Sequence, residues 1–529
     1  MKKSFLTIIM MALTIGAAAG NANNTANSSN NNNNSQMSLR NLNGGTNISG
    51  QYINLDMNTM LVDHCHGGEM VLLYQQSSHE AMLYSNIEQG FRWKKDSQGG
   101  IMQVTRMGML TSNNTVRKVH GNTGFFTTLD NLVGQHIWTR NILPVYVNDS
   151  ANVVFGYRAK FNEFNQNYEF HAENVLYAYR LSDGRELWND TISHYTRWGW
   201  NNVTYLPEKH EFLVWADRLY TIDPQKGITH EMVLNTGRYG VPVGVTKREQ
   251  RTDHNSDADY AFTPYVDRGY YTGIKSNIIF KNGLIYLADG EALYCMDENL
   301  GVKWMTQLPK AKTSAMRIRL DGDKITMQSS GMAYLEGCTY NVGKPFVAQF
   351  SVSNGDMDFI TFPKIDGNIK DAHLANGKAY YLTSNGLNEI SNLRAPETVV
   401  YGKDVIGKVS EIDNHTKYAL DGNHMICMQS GDNSVLLVGK DGTKKLFDTN
   451  SGKIVKVEQS DKLYDKQDHV YTCMARNKKG ELTDDASDLI IADANGNVTT
   501  HINTPFTGAF YTDGLLTLVM KSGIFSTRL

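Results

Sequence analysis

Four side-chain oxygens alternate along "REQRTDHNSDADYAFTPY", residues 248 to 265. Asp253, Asn255, Asp257 and Asp259 stand at every second position. Hard oxygen ligands at that spacing can wrap one calcium ion, as in the first half of an EF-hand loop. Two departures weigh against it. Ala258 stands where a sharp turn wants glycine, and no Glu follows Asp259 at the closing position. The bland alternative is a solvated acidic loop beside Arg248 and Arg251. Calcium is the one cofactor these residues suggest, and no other is expected. The same stretch is rich in tyrosine. Arg251, Tyr260 and Tyr265 mix charge and ring in the way of a recognition surface.

Two further groups bear inspection. "VDHCHGG" places Asp63, His64, Cys65 and His66 in a row. Such side chains suit zinc or copper. Neighbours in a strand point to opposite faces, however, so at most two of them converge. A strand end before a Gly-Gly turn is the competing reading. In "RWGWNN" Trp198 and Trp200 share a face if the segment is extended. They could stack on a sugar or peptide, or pack as core. For catalysis there is no G-x-S-x-G elbow, phosphate loop or H-E-x-x-H. No catalytic residue is assigned, and the balance leans away from an enzyme.

These groups must be held by something, and the chain repeats. "YAYRLSDGRELW" runs from Tyr177 to Trp188: an alternating strand, a turn at Ser182-Asp183-Gly184, a second strand and an aromatic. Related units end at Trp93, Trp138, Trp304, Phe359 and Val455. Trp93 to Trp138 is 45 residues and Trp138 to Trp188 is 50. A period near 45 with several short strands per unit marks a β-propeller blade. The expected fold is all-β: a single propeller of four-stranded blades, eight in number, with seven as the alternative. The terminal aromatic should fill the wedge between adjacent blades.

The form of this turn resembles the repeat of the pyrroloquinoline-quinone-like propellers. Ala178, Gly184 and Trp188 match it, as do Asp130, Gly134 and Trp138. Asp448, Ser451 and Gly452 match too, with Val455 in place of the aromatic. That group includes quinoprotein alcohol dehydrogenases and a non-catalytic outer-membrane assembly propeller. The resemblance implies the fold over roughly residues 50 to 529 and leaves activity open. The vicinal cysteine pair and CxxCH haem segment of the dehydrogenases are missing. The non-catalytic branch is therefore the expected one.

Composition and ends complete the reading. The formal net charge is -3, which gives no ground for a nucleic-acid partner. Lys2 and Lys3 precede an apolar run ending near Ala19, the pattern of a secretory signal over residues 1 to 22. No later run is long and apolar enough to span a bilayer. No cysteine follows the run to accept a lipid anchor. The five cysteines are scattered, and Cys295 in "ALYCMD" reads as a small core residue. Residues 23 to 49, rich in Asn and Ser, are expected to be a disordered linker. The propeller should follow over 50 to 529, with an insertion around 233 to 275. The expected role is an exported binding or scaffolding protein, periplasmic or secreted, with an envelope protein or glycan as partner. A quinoprotein-like or sugar-processing enzyme with a site in the central funnel is the alternative.

Overall fold

Alternation with a period of two and turns rich in Asp, Asn and Gly dictate antiparallel strands, and strands are nearly all there is. In this computed structural model the described residues are 34–529, leaving out 56–58, 66–68, 76–77, 79, 97–100, 113–116, 120–121, 163–166, 173, 193–199, 201–202, 217, 235–240, 243–269, 272–273, 310–313, 336–337, 342, 414–417, 422–423, 428–432, 442, 456–469, 477–481, 493–496 and 513. Among them one short helix, Lys403–Ile406, interrupts the strands. The chain is an all-β propeller.

Seven of its sheets are four-stranded, each an antiparallel meander in chain order. They span 59–96 (sheet 1), 101–141 (sheet 2), 143–191 (sheet 3), 204–232 (sheet 4), 279–307 (sheet 5), 316–361 (sheet 6) and 369–402 (sheet 7). A wide sheet of seven strands covers 411–506. A closing sheet of five strands joins the two ends of the described chain: Asn47–Asn54 pairs with Gly523–Arg528, Gln51 lying opposite Ser526. The expected eight or seven blades do not map one to one onto these sheets. The turn pattern loses its period where the wide sheet runs.

The ring is held by apolar cores between successive sheets. Strands 2 and 3 of most units are buried on both faces, strand 3 of sheet 2 (Phe126–Asp130) being buried on one. Sheet 1 shows the consequence. Val71, Leu73 and Tyr84 pack toward the closing sheet, with Ile53, Val519 and Ile524. Leu72, Leu83 and Trp93 pack toward sheet 2, with Val104 and Met109. Alternate residues thus serve opposite neighbours. Such a strand reads as a continuous apolar run rather than a strict alternation. The fourth strand is half exposed, as in Val302–Gln307 of sheet 5. A core of Leu489, Ile491, Ile502, Phe506, Leu516, Leu518 and Phe525 joins the wide sheet to the closing sheet. The circle is complete without an end cap.

The turn motif earns its residues at these joints. Trp138 of sheet 2 is 3% exposed. Its indole Nε1 donates to the carbonyl of Leu181, at 2.8 Å, in the turn of sheet 3. Gly184 in that turn has φ +66°, and a Cβ there would lie 2.6 Å from Cγ of Trp138. Sheets 5 and 6 repeat the joint. Trp304 donates to the carbonyl of Val352 at 3.1 Å, and a Cβ on Gly355 (φ +75°) would fall 2.4 Å from the Trp304 ring. Glycine meets two demands at once, a left-handed backbone and close approach of a ring. Trp188 also donates across its joint, to the carbonyl of Pro224 at 3.1 Å, though it is only half buried.

Residues 34–49, expected within the disordered linker, are ordered in the structure. Asn34–Arg40 pairs along its length with Asn47–Asn54. Polar Asn and Ser gave no hint of this, because ladder hydrogen bonds come from the backbone and an edge strand keeps one face in water. Leu39 supplies the apolar anchor at 7% exposure. Residues 1–33, with the expected signal segment, lie outside the described residues.

Candidate binding face and the residues that frame it

Strand order decides which loops share a face. In an antiparallel four-stranded meander, the connection from strand 2 to strand 3 leaves by one edge. The connection from strand 4 to the next sheet leaves by that same edge. The other two turns leave by the opposite edge. Three of the 2–3 connections are enlarged into two-stranded hairpins. Sheet 2 carries Arg117–Val119 with Asn122–Gly124. Sheet 3 carries Ala159–Asn162 with Asn167–Ala172. Sheet 6 carries Met332–Leu335 with Cys338–Asn341.

The long insertion between sheets 4 and 5 is a 4-to-1 connection and emerges on that face as well. Its stem pairs Val241 with Tyr271 and Pro242 with Tyr270. The stem strand Tyr270–Tyr271 touches Met332–Leu335, which ties the insertion to the sheet 6 hairpin. A fifth hairpin, Tyr418–Asp421 with His424–Cys427, sits in a 1–2 connection of the wide sheet and leaves by the other edge. One face therefore carries four enlarged connections, and the opposite face carries the tight turns of the repeat and the hairpin of the wide sheet.

Most of the residues singled out in the insertion, Arg251, Asp253, Asn255, Asp257, Asp259, Tyr260 and Tyr265, lie outside the described residues. Among the described residues no group of three His, Cys, Asp or Glu is placed to share a metal ion. Trp198 is also outside them. Trp200 is described, and it is core. It is 4% exposed, its Nε1 donates to the Tyr157 hydroxyl at 3.3 Å, and it packs with Phe155 and Tyr146. Its ring has no open face for a ligand. It belongs to the core of the joint between sheets 3 and 4, against which the half-buried Trp188 also packs.

Asp63 has a structural task that its neighbours in "VDHCHGG" obscured. A bulge between Leu61 and Asp63 turns the side chain out of register. Its Oδ2 accepts the amide of Val104, at 2.8 Å, in the first strand of the next sheet. Its Oδ1 accepts the amide of His64 at 2.8 Å. Burial pushes this carboxyl up, against the two amides that hold it down. The arrangement recurs at the same separation of 41 residues. Asp371 accepts the amide of Ile412 at 2.9 Å, and Asn277 that of Ile318 at 2.9 Å. These side chains stitch neighbouring innermost strands together. His64 lies against the ring of Phe510, 4.9 Å between centroids. The side chains of Cys65 and His66 are outside the described residues. Cys295 is 1% exposed and packs between sheets 5 and 6.

A second frame of polar contacts lies between sheet 7 and the wide sheet. Glu389, 3% exposed, accepts from Lys378 Nζ at 2.8 Å and Ser391 Oγ at 2.6 Å. Tyr401 donates to its other oxygen at 3.1 Å. Lys378 also donates to the carbonyl of Thr449 at 2.6 Å, across the joint. Burial alone would raise the Glu389 carboxyl. The Lys378 and Ser391 hydrogen bonds, the ammonium charge and Tyr401 outweigh it and hold the group below the usual carboxylate range. Burial, with the carboxylate charge beside it, pushes Tyr401 up to about 12.

No family model and no curated protein matches the chain. Among solved structures it is similar to BamB from Moraxella catarrhalis, at 8% identity and a TM-score of 0.31, over 81% of this chain and 94% of that one. It is similar to the dihydro-heme d1 dehydrogenase NirN in complex with DHE, at 10% identity and a TM-score of 0.33, over 73% of this chain and 72% of that one. A third is the quinohemoprotein alcohol dehydrogenase from Comamonas testosteroni, at 8% identity and a TM-score of 0.30, over 59% and 61%. Likeness at this level says nothing of activity. Strand pairing and packing carry the fold.

Proposed function

We propose that this chain is an exported, non-enzymatic binding or scaffolding propeller, in the manner of the non-catalytic pyrroloquinoline-quinone-like propellers, and that it works in the cell envelope. The observation that supports this reading is the gathering of four enlarged connections on one face. A propeller fixes most of its residues by packing, so recognition falls to the departures from the repeat. Here the departures of sheets 2, 3 and 6 and the insertion after sheet 4 leave by the same edge. A broad surface of loops on a rigid ring suits a protein partner or a glycan better than a small molecule. Export rests on Lys2, Lys3 and the apolar run behind them. No helix among the described residues is long and apolar enough to cross a membrane.

The test replaces residues 117–124, 159–172 and 334–339, one hairpin at a time, by short Gly-Ser turns, leaving the buried Met332 and Ala333 in place. Each variant should keep the circular dichroism and urea midpoint of the parent, because the ring cores are untouched. Immobilised on beads and exposed to envelope extract, the parent should retain partners that at least one trimmed variant does not. Identical retention by all variants would place binding elsewhere and overturn the reading.

A further inference from the structure

A cleft of about 570 Å³ opens between the last strand of sheet 2 and the turn of sheet 3. Arg140, Arg158 and Arg185 line it, with Asn141, Asp183 and Glu186. The two acids are already engaged. Glu186 receives Arg158 at 2.6 Å and Asn189 at 2.8 Å. Asp183 receives Arg180 at 3.0 Å and the amide of Arg185 at 2.9 Å. The guanidinium of Arg158 is spent on Glu186 and the Tyr179 hydroxyl, and it lies 3.9 Å over the Tyr177 ring.

Arg140 and Arg185 are different. Among the described residues Arg140 makes no ion pair, and Arg185 has Asp183 beside it, whose carboxyl its charge helps to hold down. Arg140 is held in place by two backbone carbonyls, Gly184 at 2.6 Å from Nε and Thr139 at 2.9 Å from Nη1, which leaves the rest of its fork toward the cleft. A fixed, unneutralised guanidinium is a preorganised carboxylate receptor. One feature beside it suits a backbone. His136–Asn141 is the edge strand of its sheet, though the carbonyls of Thr139 and Arg140 are already engaged, by Arg140 Nη1 and the Ile142 amide.

We propose that this cleft binds an extended acidic peptide segment. The segment would lie along the edge strand His136–Asn141, with carboxylates on Arg140 and Arg185. Strand addition supplies the main-chain hydrogen bonds, and the two guanidiniums supply selection for acidic side chains. The site adjoins the feet of the sheet 2 and sheet 3 hairpins, where Gly124 packs on Asn141 and Arg158 precedes Ala159, so its test uses the untrimmed chain.

The experiment titrates full-length protein into a fluorescein-labelled peptide of alternating Glu and Val and reads anisotropy at low salt. A matched peptide with Gln for Glu and a labelled oligogalacturonate serve as the other arms. The acidic peptide should bind, and the Gln peptide about tenfold more weakly, a difference of ~1.4 kcal/mol. Affinity for the acidic peptide should fall as salt rises. Arg185→Ala, at an exposed position, should weaken binding with the urea midpoint unchanged. Adding Arg140→Ala should abolish it. Equal binding of the two peptides overturns the proposal, as does unchanged affinity in the Arg185→Ala variant. Binding of the oligogalacturonate alone also overturns it, since the site would then read a sugar acid.

Discussion

Replacing Trp138 with alanine should lower the stability of the ring by about 3–5 kcal/mol, the range for emptying a fully packed aromatic site. The size of the effect follows from what the indole does. It is 3% exposed, so nearly all its apolar surface is out of water. It packs with Leu110, Leu129 and Ile142 of its own unit and with Val154, Tyr177 and Leu181 of the next. Its Nε1 bond to the Leu181 carbonyl ties the two sheets, and removing it strands a carbonyl acceptor. The turn cannot collapse into the space, because Gly184 brings no side chain to fill it. Trp138→Phe should recover most of the packing and lose the hydrogen bond, costing about 1 kcal/mol beyond its smaller volume. Urea titration followed by tryptophan-independent circular dichroism reads both variants. An alanine variant with the parent midpoint would show that the repeat aromatic is not a joint.

The second large effect is expected at Lys378→Met. Methionine keeps the aliphatic volume and deletes the charge. Glu389 is then a buried carboxylate with hydroxyl donors but no cation, a loss of roughly 3 kcal/mol at neutral pH. Acidity supplies the diagnostic. In the parent, the folded Glu389 sits below its unfolded value of about 4.3. Its stabilising contribution is therefore complete above that unfolded value and is lost as pH falls through the folded one. In the variant, burial acts against only the Ser391 and Tyr401 hydrogen bonds, so the carboxyl should rise from where it sits in the parent. Relative to the parent, the variant is penalised at neutral pH, where the group must ionise, and relieved as pH falls toward 4. The gap between parent and variant should narrow over that interval. A gap that holds constant from pH 7 to pH 4, or no gap at all, would mean that the ion pair does not carry the joint between sheet 7 and the wide sheet.

What could be read in advance, and what could not, follows from the range of each interaction. The turn motif was legible because it is local. Gly184 and Trp188 sit four residues apart in one hairpin, and the same chemistry repeats along the chain. Its consequence was half legible. The aromatic was expected to fill a wedge, but the turn it seats against belongs to the following unit, Trp138 under Gly184. The stitches between innermost strands were not legible. Asp63 and Val104 meet only after a bulge and a full circuit of one sheet, so the carboxylate read as a metal candidate. Trp200 misled for a similar reason. A Trp-Gly-Trp sequence looks like a stacking platform, while the burial of Trp200 comes from Phe155, Tyr157 and Phe212 of sheets 3 and 4, which its local sequence does not show. Residues 34–40 misled because composition reports what a segment can bury, not what its backbone can pair with. The site is the least legible part. The insertion after Met232 stood out by length, but its companionship with three hairpins follows from strand order, which spacing alone does not supply.

Amide hydrogen exchange by mass spectrometry, on the chain alone and with its captured partner, tests the binding face most directly. The propeller account predicts slowed exchange at 117–124, 159–172, 241–271 and 332–341 when the partner is bound, with the tight turns at 131–135, 182–185 and 353–356 unchanged. Slowing confined to those tight turns, with the hairpins exchanging as in the free chain, would contradict it.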